Sequence, residues 1–87
     1  MSTIRCLKVT VMGWHIINGI RGRVNCCPMA LALAEQHPGA FEWFVFSNSA
    51  YCGPTEFFLS EPACQFITDF DRGERVPLGT FSLTERT

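Results

Sequence analysis

Residues 41–59 read FEWFVFSNSAYCGPTEFFL. This stretch decides the fold. Phe41 to Phe46 is aromatic and β-branched, which favours a strand with both faces apolar. Ser47-Asn48-Ser49 is a turn, and Ala50 to Cys52 pairs back. Gly53-Pro54 turns the chain again, and Glu56 to Leu59 makes a further strand. The three segments read as an antiparallel meander.

On its C-terminal side, Ser60 is a good N-cap and Pro62 sits in the first turn behind Glu61. Ala63, Phe66, Ile67 and Phe70 then recur at helical spacing, so this is an amphipathic helix. Asp69, Asp71 and Arg72 face water, and Gly73 is a natural C-terminal stop. A last short strand covers residues 80–83, with Phe81 and Leu83 inward. Residues 85–87 are expected to fray.

On its N-terminal side, Thr3 to Met12 alternates with Leu7, Val9 and Val11 on one face, the signature of a strand ended by Gly13. Trp14 to Asn18 allows one helical turn, stopped by Gly19. Ile20 to Arg23 is a loop, because glycine is too frequent there for a helix. Pro28 suits a first helical position, and Met29 to Gln36 follows with high helix propensity. That helix is apolar nearly all round and is expected to be buried. His37-Pro38-Gly39 ends it.

The order is β-α-(α)-β-β-β-α-β over residues 1–87, one α+β domain. A small, mostly antiparallel sheet with two helices packed on one face buries both apolar helix stripes.

Composition sets further bounds. The chain has 87 residues, 47% of them hydrophobic, and eight are Phe. That apolar content is rich for so small a core, which favours self-association into a homo-oligomer. The net charge of −1 argues against binding duplex nucleic acid. No apolar run reaches the ~20 residues of a membrane span. Five cysteines without a secretory leader fit a reducing bacterial cytoplasm, with Cys6, Cys52 and Cys64 read as small core residues.

The segment from Asn18 to Pro28 carries the site reading. Gly19 and Gly22 let the backbone approach a ligand, and Arg21 and Arg23 are closely spaced cations. The loop feeds a helix whose free N–H groups and dipole favour an anion. Arg21 and Arg23 would hold phosphate, with Gly22, Asn25 and the backbone near Cys27 and Met29 assisting. Trp14 or His15 would contact a base. The bland alternative is a solvated connection whose glycines serve turn geometry.

Other chemistries fit less well. Adjacent Cys26 and Cys27 with His15 do not make the four-ligand set of structural zinc. Cys27 ahead of a helix invites a nucleophile reading, but an orienting base is lacking. Asp69 and Asp71 do not share a helix face. No catalytic group, cofactor or metal is expected. The aromatic set between Phe41 and Phe58 offers a different function, a protein-interaction module acting through the sheet.

The pattern His15-Ile16 … Gly19 … Gly22 … Cys27-Pro28 … Ala30-Leu31-Ala32-Leu33 resembles a family of small uncharacterised proteins of bacteriophages, actinobacteria and planctomycetes. Phe66-Ile67 … Phe70-Asp71 … Gly73 and the strand at 80–83 continue the resemblance, which covers about residues 8–84. Members of that family often carry C-x-x-C-P before the first helix. Here Val24 stands at the earlier cysteine, so only Cys27 matches. The resemblance implies a phage setting. By analogy of role it implies an anti-defence sponge, a non-enzymatic protein that captures a cyclic nucleotide or an ADP-ribose-type signal.

Overall fold

A computed structural model describes residues 6–39 and 41–86. The elements are β1 (Cys6–Val11), α1 (Gly13–Asn18), α2 (Pro28–Gln36), β2 (Trp43–Val45), β3 (Ser49–Cys52), β4 (Thr55–Leu59), α3 (Glu61–Asp71) and β5 (Gly79–Glu85). The chain is thus an α+β fold in the expected order. Residues 3–5 of the expected first strand lie outside the described residues.

The five strands form one sheet in the order β1-β5-β4-β3-β2, and every neighbour is antiparallel. The register explains which residues are inside. Val9 pairs with Phe81, Leu7 and Leu59 with Leu83, Ala50 with Phe57 and Val45, and Cys52 with Trp43. Because side chains alternate along a strand, these residues share one face. Val9, Val11, Leu83, Phe57 and Ala50 on it are at most 1% exposed. α2 packs on β1 and β2, α3 on β5, and α1 on α2. The two longer helices therefore cover the face that the alternation marks as apolar. Leu33 and Met29 of α2, with Phe66 and Ile67 of α3, complete the core. Each such fully buried side chain contributes about 1.5–3 kcal/mol.

The same alternation turns Cys6 outward. It is exposed, and Cys52 and Cys64 are only half-buried. The expectation of a core position is corrected for Cys6 by strand register, whereas Cys52 and Cys64 pack against the core at its margin. The C-terminal end differs too. β5 runs to Glu85, and the Arg86 N–H donates to the Glu56 carbonyl at 2.8 Å. Its guanidinium also donates to the Glu56 carboxylate at 2.8 Å. Residues 85 and 86 are held rather than frayed.

Both sheet edges are partly covered. On β1 the Thr10 N–H donates to Gln36 Oε1 at 2.8 Å, and Gln36 Nε2 donates back to the Thr10 carbonyl at 2.6 Å. His37 Nε2 donates to the Lys8 carbonyl at 2.8 Å. The end of α2 thereby mimics a neighbouring strand and satisfies an edge that otherwise invites pairing. On the other edge the Val45 N–H donates to the Val24 carbonyl at 2.7 Å.

Ser60 occupies the N-cap of α3, but its hydroxyl makes no capping bond. After the C-cap Arg72, Gly73 takes φ +82°, the left-handed stop that glycine adopts without strain. Among the described residues, no helix is long and apolar enough to cross a membrane.

Candidate functional site

The loop between α1 and α2 is folded on itself. The Ile20 N–H donates to the Cys26 carbonyl at 2.8 Å, and the Cys26 N–H to the Arg23 carbonyl at 3.2 Å. Gly19 lies directly against the Pro28 ring. The end of α1 and the start of α2 are thus pressed together.

That contact removes the helix N-terminus as an anion site. Cys27 is 4% exposed, and Pro28 and Met29 are fully buried. The Cys27 sulfur accepts from the Ala30 N–H at 3.4 Å and caps α2 itself. Met29 cannot touch an outside ligand, and Cys27 shows only a small part of the wall of a recess. Burial pushes the Cys27 thiol up, and hydrogen bonds from the helix backbone offset this only in part. The thiolate needed for a nucleophile is disfavoured. Cys27 is expected to react with iodoacetamide far more slowly than exposed Cys6 at mildly alkaline pH, read peptide by peptide in a mass spectrometer. Equal rates would contradict its burial. Because the folded pKa lies above the unfolded one, the unfolded thiol ionises first. The contribution of Cys27 is complete below the ordinary thiol range and falls as pH rises through it.

His15 is likewise a structural residue. It is 0% exposed. Its Nδ1 accepts from the Met12 N–H at 2.8 Å, closing a capping box at the start of α1. Its Nε2 faces Glu35 Oε1 at 3.3 Å without hydrogen-bond alignment. Trp14 is half exposed, and its ring lies 3.9 Å from that of His15. The expected base contact from His15 is excluded by burial, and Trp14 stands outside the cleft described below. Asn25 points elsewhere, donating to Glu42 Oε1 at 3.1 Å.

Gly22 does hold an anion, but an internal one. Its N–H donates to Asp71 Oδ1 at 3.2 Å, bringing the end of α3 onto the loop. Arg23 lines a recess of only about 120 Å³ beside that carboxylate. Phosphate there would have to displace Asp71.

Arg21 faces the other way. It lines a cleft of about 600 Å³ between α1 and the segment after α3, together with Arg75. Ile16, Ile20, Phe70 and Val76 form apolar walls, and the Glu74 carboxylate lines the cleft as well. The Arg21 guanidinium lies over Gly73, 3.4 Å from where a Cβ would stand, which is ordinary contact distance. Among the described residues, neither Arg21 nor Arg75 has a carboxylate partner. The structure therefore splits the Arg21–Arg23 pair and places Arg75 beside Arg21. Arg75 carries no motif. Its only signal in the sequence is its place two residues beyond the glycine that ends α3.

Comparison of the chain with protein-family models, with curated proteins and with solved structures finds no match.

Proposed function

We propose that the protein binds a small anionic ligand of the nucleotide class, without transforming it, in the cleft between Arg21 and Arg75. The observation that carries this reading is two guanidinium groups that, among the described residues, make no ion pair and share a largely apolar cleft with one carboxylate, Glu74. A guanidinium matches phosphate bidentately, and each charge-assisted bond is worth about 1.5–3 kcal/mol. Ile16, Ile20 and Phe70 offer a surface for a base or ribose. The cleft volume of about 600 Å³ suits a ligand of nucleotide size. The resemblance to phage and actinobacterial proteins supplies a biological setting, a sponge that lowers the free level of an immune signal. Titration calorimetry against cyclic dinucleotides, cyclic trinucleotides and cyclic ADP-ribose isomers tests it. Saturable heat with at least one, and its release unchanged in mass, is expected. No heat with any of them, or conversion of the ligand, overturns it.

A second reading concerns the outer sheet face. Phe44, Phe46 and Phe58 are 36%, 42% and 48% exposed there. Tyr51 stands edge-on to Phe46 at 5.6 Å, and Arg86 covers Phe58 at 5.9 Å. Glu56 neutralises Arg86 and accepts from the Tyr51 hydroxyl at 2.9 Å. The Arg86 contact first, then Tyr51, holds its carboxyl below the usual carboxylate range. An aromatic face with its charges paired suits a second copy of this chain. With both edges partly covered, the face is the broader surface for sheet-mediated self-association. Sedimentation is expected to show a dimer that Phe44→Lys with Phe58→Lys converts to monomer. A wild-type monomer at every concentration would rule this out.

A further inference from the structure

Among the described residues, the inner face of the sheet is not covered along its whole length. α2 ends at Gln36, and Pro38 and Gly39 lead the chain away. A hollow of about 430 Å³ remains beside the first residues of β1, β2 and β4. Leu7 and exposed Phe41 form its walls, and Trp43 and Phe57 close its floor, only 4% and 1% exposed. The volume falls within the roughly 300–1,000 Å³ typical of small-molecule sites. The Arg21–Arg75 cleft lies at the other end of β1, where Val11 hands over to α1.

The hollow differs from that cleft in charge. Among the described residues, no Asp, Glu, Lys or Arg lines it. A charged ligand would lose its hydration there without a counter-charge. The polar groups that do line it divide into satisfied and free. The Trp43 indole N–H donates to the His37 carbonyl at 3.0 Å, and the Cys52 thiol reaches the Phe41 carbonyl at 3.7 Å. His37 Nε2 faces the Lys8 carbonyl at 2.8 Å, and a carbonyl can only accept. In the tautomer that makes this bond the proton sits on Nε2, and Nδ1 is then an acceptor. The Thr55 hydroxyl also has no partner among the described residues.

We propose that this hollow is a second binding site, for an uncharged, flat heteroaromatic molecule bearing a ring N–H. The ring lies against Phe41 and the edges of Trp43 and Phe57. Its N–H donates to His37 Nδ1, and its other ring nitrogen accepts from Thr55. The site is independent of the anion cleft and stands or falls separately from it.

Protection of Cys52 from alkylation tests this on the wild-type protein. The probe is benzimidazole, which is flat, neutral at pH 7.5 or so and carries one N–H. Iodoacetamide labelling is followed peptide by peptide, with exposed Cys6 as the control. Once benzimidazole exceeds its Kd by about tenfold, the Cys52 rate is expected to fall by about tenfold, because the free fraction does. The Cys6 rate stays constant. 1-Methylbenzimidazole, which lacks the N–H, is expected to protect with an affinity about tenfold lower, since His37 Nδ1 is then left unpaired. An unchanged Cys52 rate with benzimidazole overturns the site. Equal protection by the methylated probe overturns its recognition through His37.

Discussion

Reversing Arg21 or Arg75 to Glu is expected to weaken binding of the anionic ligand by about a hundredfold or more, whereas Arg23→Glu leaves it within about twofold. The contrast follows from geometry rather than from spacing in the chain. Arg21 and Arg75 line one cleft and lack carboxylate partners among the described residues. Arg23 lies on the far side of the loop, beside Asp71. Losing two charge-assisted bonds of about 1.5 kcal/mol each already gives two orders of magnitude, and the reversed charge adds repulsion. Arg21→Lys is also expected to lose affinity, because an ammonium cannot make the planar two-pronged contact. Calorimetry on the three charge reversals, with circular dichroism to confirm folding, is the measurement. Equal losses at Arg23 and Arg21 would return the site to the loop.

Gly19→Ala is the second large effect, and it acts on stability. Gly19 has φ −71° and ψ 148°, which any residue adopts, so alanine brings no backbone strain. The obstacle is space. A Cβ at Gly19 would lie 2.6 Å from both Pro28 Cγ and Cδ and 2.8 Å from its nitrogen. A proline ring cannot rotate away, and Pro28 is fully buried at the first position of α2. α1 and α2 must therefore separate, which opens the core around Met29 and Leu33. A loss of about 2–4 kcal/mol is expected, in the range of overpacking combined with lost burial. Gly13→Ala provides the contrast. Nothing lies within 4 Å of its Cβ position, and it sits in α1. Alanine there is expected to be neutral or stabilising by up to about 1 kcal/mol. Urea denaturation of both variants decides the matter, and comparable midpoints would contradict the clash with Pro28.

Much of the fold could be read from residue pattern because its signals are local. The alternation of Leu7, Val9 and Val11 marks β1, and the spacing of Ala63, Phe66, Ile67 and Phe70 marks α3. Pro28 marks the start of α2 through its missing N–H. The aromatic run at 41–46 divides as strand geometry demands, with Trp43 and Val45 inward and Phe44 and Phe46 outward. What local pattern does not carry is which side chain meets another across the chain. Gln36 and His37 read as a helix end, yet they complete the edge of β1.

The proposed site is legible only in its first half. Arg21 stands out because glycines flank it, but its partner arrives from the end of α3. Arg23 looks like that partner because it is near in sequence, while the loop turns the two apart. The helix N-terminus after Cys27 looks like an anion site because Pro28 marks it. A sequence does not show that the terminus is packed under α1 and capped by its own cysteine. His15 looks like a ligand contact because histidine is chemically versatile, yet it is wholly buried as a cap.

In the proposed site, Arg21 and Arg75 act together on one anion. Proton–nitrogen correlation spectra of the arginine Nε–Hε groups, titrated with pyrophosphate into the millimolar range, test it most directly. The signals of Arg21 and Arg75 are expected to move along one shared binding curve while Arg23 stays fixed. Movement of Arg23 without Arg75, or no movement at either Arg21 or Arg75, would contradict it.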